Sequence, residues 1–111
     1  MPCDQVRTTT VDVEKMDGPM LIEALRLLGY QANKSGTAIV FYKENSPNRH
    51  RYEDGKIVFS GNVAETMKGE WVNQIKQAYS GEVVKATAAR FGWELKKNPL
   101  NKFSYTAIRR G

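Results

Sequence analysis

The chain has 111 residues, close to the commonest size of one compact domain, so we predict a single domain over residues 1–111. Hydrophobic residues make up 41% of the chain and charged residues 26%, a globular composition that indicates neither a disordered tail nor a fibrous protein. The longest apolar run, Ala38 to Tyr42, is far shorter than the roughly 20 residues of a membrane span, and no secretion signal is recognisable. We therefore expect a soluble, cytoplasmic protein without a membrane partner.

The positive charge of the chain is concentrated in its second half. The net charge is +5, of which residues 1–55 contribute −1 and residues 56–111 contribute +6. A basic surface of this size favours contact with nucleic acid phosphate or an acidic protein, or it serves solubility alone. Cys3 is the single cysteine, so no intrachain disulfide can form, and we expect a reducing compartment.

The first half of the chain predicts a strand, a helix and an antiparallel meander. β-branched residues dominate Gln5 to Val13 and favour a strand there. Asp17-Gly18-Pro19 supplies a helix cap, and apolar residues then follow at helical spacing until Gly29. Asp54-Gly55 is a strong hairpin signal. Three strand-forming segments lie at 37–43, 49–53 and 56–60.

The second half predicts a long helix followed by a closing hairpin. Apolar residues beyond Met67 recur every three or four positions until Phe91-Gly92, and Gly81 leaves open whether this helix is continuous, kinked or broken. Trp93 to Lys96 and Phe103 to Ile108 then predict two paired strands. The order indicates an α+β two-layer sandwich, an antiparallel sheet with both helices packed on one face. We expect a ferredoxin-like β-α-β-β-α-β arrangement with an extra hairpin.

Several stretches along the chain share their hydrophobic spacing and glycine positions with known proteins. These stretches are Val6 to Asp12, Leu21 to Leu25, Leu28 to Tyr30, Asn73 to Tyr79, Val83 to Ala86, Gly92 and Phe103 to Arg110. They resemble the small hypothetical open-reading-frame proteins of chloroplast and cyanobacterial genomes, whose relatives in other bacteria form a domain of unknown function. The resemblance implies a fold and a soluble compartment but no catalytic residues, and residues 45–50 and 60–63 depart from the family's pattern.

No pattern in the sequence predicts an active site. His50 is the only histidine, and its neighbours Arg49 and Arg51 would repel a metal cation. Asp12 and Glu14 share one face of the first strand and could form an acid–base pair, although a solvated strand end is the favoured interpretation. Phosphate-binding glycine loops, dinucleotide fingerprints and zinc-ligand spacing are absent from the sequence. We predict a protein that is not an enzyme and that holds no cofactor and no metal.

The favoured function is binding through an exposed face or edge of the sheet, to a protein partner or to a second copy. Phe103 and Tyr105 alternate onto one face of the last strand and would offer two aromatic rings there. The alternative is a nucleic-acid-binding module in which Arg49 and Arg51 hold phosphates while Tyr52 stacks on a base. Further basic residues available to that module are Lys96, Lys97, Lys102, Arg109 and Arg110.

Overall fold

The computed structural model describes residues 7–97 and 105–108, in which two helices and seven strands follow one another. This confirms the predicted α+β class. The strand over Tyr30–Ser35 was not predicted, because Ala, Asn and Lys have low strand propensity. The elements are β1 (Thr8–Asp12), α1 (Gly18–Leu27), β2 (Tyr30–Ser35), β3 (Ala38–Lys43), β4 (His50–Glu53), β5 (Lys56–Ser60), α2 (Ala64–Phe91), β6 (Glu94–Lys97) and β7 (Tyr105–Ile108).

Five of the strands form one antiparallel sheet in the order β1-β5-β4-β3-β2. Strands β2 to β5 are joined as consecutive hairpins, and β1 adds to β5 at the far side. A ferredoxin-like fold instead interleaves two β-α-β units. The predicted ferredoxin-like topology is therefore wrong, while the predicted antiparallel sheet is confirmed.

Both helices contribute to one hydrophobic core on a single face of this sheet. Successive side chains of a strand point to opposite faces, so every second residue of each strand reaches the helices. Phe41 and Phe59 are fully buried there, against Leu21 and Leu25 of α1 and Ile75 of α2. The other face of the sheet is not covered by any described element, and we call it the open face.

Two local signals in the sequence produce the elements they predict. The carboxylate of Asp17 accepts a hydrogen bond from the backbone N–H of Met20 at 3.1 Å, and α1 begins at Gly18, directly after Asp17. Asp54 and Gly55 have φ angles of 49° and 79°, as a type I′ turn requires. The cap fixes where α1 begins, and the turn fixes how β4 aligns with β5.

Helix α2 is continuous, and the C-terminal hairpin lies beyond it as a separate sheet. Gly81 is buried within the helix, and Gly92 ends it in a left-handed conformation with φ 68°. Strands β6 and β7 pair only with each other. The expectation that Tyr105 belongs to an exposed face of the main sheet is therefore wrong. Four other predicted contact residues lie outside the described residues: Lys102, Phe103, Arg109 and Arg110.

Candidate functional site

Strand β4 divides the predicted phosphate-binding cluster between the two faces of the sheet. Arg49 and Arg51 are exposed on the open face. His50 and Tyr52 point to the helices, and each is only 6% exposed. The expectation that Tyr52 stacks on a base beside the two arginines is wrong, because its ring lies on the covered face. Its hydroxyl oxygen instead accepts a hydrogen bond from the backbone N–H of Met16 at 2.7 Å.

Both arginines of the open face have neighbours that hold their side chains in place. The guanidinium of Arg49 lies 3.8 Å from the centre of the Tyr42 ring and donates to the carbonyl oxygen of Ser46 at 2.9 Å. Arg51 donates to a carboxylate oxygen of Glu53 at 2.8 Å. Hydrogen bonds from Thr37 and Arg51 hold the pKa of Glu53 below its usual value. Glu53 therefore stays charged and offsets part of the positive charge of this face.

His50 lies in a buried, aromatic environment. Its Nδ1 accepts a hydrogen bond from the backbone N–H of Ser60 at 3.1 Å. Four aromatic rings surround the imidazole, and burial lowers the pKa of His50 below its ordinary value. The neutral ring is therefore the form that the fold accommodates. The surrounding rings are Tyr30, Phe41, Phe59 and Trp71.

The outer edge of β1 presents a row of backbone groups without partners. The backbone N–H of Gly61 donates to the carbonyl oxygen of Arg7, and the N–H of Val13 donates to the carbonyl oxygen of Gly55. Because hydrogen-bonded residues alternate along an antiparallel ladder, the odd-numbered residues of β1 bond to β5. The backbone groups of Thr8, Thr10 and Asp12 consequently point away from the sheet. Within residues 7–97 and 105–108, none of these outward groups has a hydrogen-bonding partner. As far as the described residues extend, this edge can therefore accept a further strand.

The opposite edge, at β2, is guarded by cationic side chains. Gly36 and Thr37 form a two-residue turn between Ser35 and Ala38, which places the backbone groups of even-numbered β2 residues on the outside. Arg26 of α1 reaches around this edge and donates to the carbonyl oxygen of Ala32 at 3.2 Å. Lys34 adds an exposed charge. Charged side chains on an outer strand are a common protection against unwanted pairing. No hydrogen bond of this kind reaches the outward groups of β1 from residues 7–97 or 105–108.

The carboxylates singled out in the sequence do not form a site. Asp12 lies opposite Lys56 in the ladder between β1 and β5, and Glu14 is exposed beyond the strand end. Over the described ranges, no three histidine, cysteine, aspartate or glutamate side chains come close enough to hold a metal ion. The solvated strand end therefore remains the better interpretation of these two acids.

The edge of β1 and the guarding role of Arg26 had no local signal in the sequence. Which residues of β1 face outward depends on its register with β5, which lies about 50 positions further along the chain. Arg26 resembles an ordinary basic residue of a helix C-terminus. Only the strand alternation of residues 49–53, charged at odd and aromatic at even positions, indicates that Arg51 and Tyr52 face opposite ways.

Comparison of the chain with protein-family models, curated proteins and solved structures finds no match. The resemblance to the chloroplast and cyanobacterial family therefore stays a prediction. Among the helices that the structure describes, none is both long and apolar enough to cross a bilayer. The contrast between the open β1 edge and the guarded β2 edge is the feature from which a function follows most directly.

Proposed function

We propose that this chain is a non-enzymatic binding protein that works through the outer edge of β1, and that the strand it binds there is β1 of a second copy. The supporting observation is the row of outward backbone groups at Thr8, Thr10 and Asp12. At the opposite edge, by contrast, Arg26 occupies the carbonyl oxygen of Ala32. Unpaired edge groups act as a template for a further strand. A partner strand would satisfy them all.

The sequence of β1 is compatible with antiparallel pairing to itself. Pairing about a twofold axis at Thr10 sets Thr10 opposite its counterpart and Thr8 opposite Asp12, so no like charges face each other. Threonine and valine favour strands, and threonine pairs across strands contribute about 0.2–1 kcal/mol each. The result is a ten-stranded sheet with all four helices on one side.

A short ladder limits the strength of this contact. Strand β1 has five residues, of which three present outward groups, so the backbone pairing alone buries much less than the roughly 1,600 Å² of a standard interface. We therefore expect a weak dimer whose population rises with concentration. Such an assembly suits an accessory protein that associates reversibly.

Light scattering after size exclusion, from micromolar to millimolar protein, tests the proposal. The wild-type chain should shift from monomer to dimer, whereas Thr10→Pro should stay monomeric because proline removes an outward N–H and blocks the approaching strand. Thr10→Ala, which keeps the backbone donor, is the matched control and should still dimerise. A wild-type chain that remains monomeric over the whole range would refute the proposal.

Single-stranded nucleic acid is the second candidate ligand, on a different surface. Strand alternation brings Arg49, Arg51 and Tyr42 together on the open face, where guanidinium groups and a ring can contact a phosphate backbone and a base. Binding of a fluorescent oligonucleotide should then weaken steeply as salt rises, and the double variant Arg49→Ala with Arg51→Ala should weaken it further. No binding at low ionic strength would exclude this candidate.

A further inference from the structure

A cavity opens at the end of the molecule where the first turn of α1 lies over the β2–β3 hairpin. Its volume is about 470 Å³, within the roughly 300–1,000 Å³ of small-molecule sites. The backbone of Met16, on one wall of the cavity, is held in place because its N–H donates a hydrogen bond to the hydroxyl oxygen of Tyr52. The walls are mostly apolar and are formed by Met16, Pro19, Ile22, Ala38, Ile39 and Tyr52.

The charged side chains of the cavity lie at Lys15, Lys34 and Asp54. Lys15 and Asp54 are 3.4 Å apart and largely compensate each other at the surface. No residue in the described part of the chain pairs with the ammonium group of Lys34. Among the residues that the structure describes, the cavity therefore combines an apolar interior with one uncompensated positive charge.

These features identify one chemical class of ligand. The cavity opens to solvent, and transfer of apolar surface from water onto apolar walls is favourable. An apolar group would therefore be held by the walls, and an anionic end group would meet Lys34. Polar ligands without an apolar body would leave the walls of Ile22 and Ile39 unmatched.

We propose that this cavity binds a small apolar carboxylate, such as a medium-chain fatty acid, with its chain against Ile22 and Ile39 and its carboxylate at Lys34. Lys15 is the second cation within reach, and Asp54 opposes the bound anion. The site is on the covered side of the sheet and is separate from the outward groups of β1. Loss of self-pairing would leave it intact.

A titration of the protein with decanoate, monitored by calorimetry and by the amide chemical shifts of the protein, tests this site. We expect saturable binding below the micelle-forming concentration, with amide shifts at Gly18, residues 20–22 and residues 36–39. Lys34→Gln should weaken decanoate binding about two- to fivefold, the effect of an exposed charge pair. Lys76→Gln removes an exposed lysine of α2 and should leave it unchanged. Decanol should bind equally to the wild-type protein and Lys34→Gln.

Two further variants test the geometry in opposite directions. Asp54→Asn keeps a residue that tolerates the left-handed turn and removes the opposing carboxylate, so decanoate should bind more tightly. Gly18→Leu should abolish binding, because a Cβ at this position lies 3.8 Å from the Ile39 side chain and directs the leucine into the cavity. Absence of saturable binding to the wild-type protein, or equal weakening by Lys34→Gln and Lys76→Gln, would overturn the proposal.

Discussion

Proline at two neighbouring positions of β1 should destabilise the fold to very different extents. The N–H of Thr9 belongs to the ladder with β5, opposite Phe59, whereas the N–H of Thr10 points away from the sheet. Thr9→Pro therefore breaks a hydrogen bond and leaves the carbonyl of a fully buried residue without a donor. Thr10→Pro breaks no hydrogen bond within the described chain.

The expected difference between the two variants is large enough to measure. A lost hydrogen bond contributes about 0.5–1.5 kcal/mol, and an unsatisfied buried acceptor costs about 1–3 kcal/mol. Thr9→Pro should therefore lower the free energy of unfolding by about 2–4 kcal/mol, which is a fall in Tm of roughly 8–25 °C for a domain of this size. Thr10→Pro should change the free energy by less than about 1 kcal/mol.

Urea and thermal unfolding at low protein concentration, where the monomer prevails, measure this difference. Thr9→Ala and Thr10→Ala serve as controls, since the first removes the hydroxyl that donates to Glu65 and the second an outward-facing hydroxyl. Each proline variant is compared with its own alanine variant. Equal destabilisation by the two prolines would refute the assignment of outward groups on β1.

Three other predictions concern His50, Arg26 and Gly55. Burial lowers the pKa of folded His50, so the unfolded chain binds more protons than the folded chain near pH 6.5. The free energy of unfolding should therefore fall as the pH drops through that value. Urea titrations from pH 5 to 8 should show this dependence, and His50→Gln should flatten it. An unchanged slope would contradict this. Arg26→Ala uncovers the carbonyl oxygen of Ala32, so this variant should form larger assemblies in light scattering. Arg26→Lys, which keeps the positive charge, should not. Identical scattering by the two variants would count against the guarding role of Arg26. Gly55→Ala should destabilise the fold by about 1–2 kcal/mol, because the φ of Gly55 is 79° and the new Cβ would lie 3.1 Å from the Val13 carbonyl oxygen. An unchanged Tm would argue against this turn geometry.

Features with a local cause were predictable from the sequence. The cap at Asp17 set the start of α1, and Asp54-Gly55 set the β4–β5 hairpin, because short-range sterics and hydrogen bonds decide both. The left-handed Gly92 likewise ended α2 at the predicted residue. In each case the chemistry lies within a few residues of the feature.

Features that depend on distant contacts were not predictable in the same way. The sequence gives no local indication that β1 pairs with β5 or that β7 pairs away from the main sheet. The polar strand β2 is stabilised by its ladder with β3 rather than by its own propensity. For the same reason, the sequence alone favours the aromatic residues of the last strand as a contact surface, whereas the fold exposes the backbone groups of the first strand.

Amide hydrogen exchange in β1 at two protein concentrations measures the proposed pairing most directly. The amides of Thr9 and Val11 should be protected at both concentrations, because they bond to β5. The amides of Thr8, Thr10 and Asp12 should exchange rapidly in dilute protein and become protected as the dimer forms. Exchange at these three amides that does not change with concentration would contradict the pairing of β1 with a second copy.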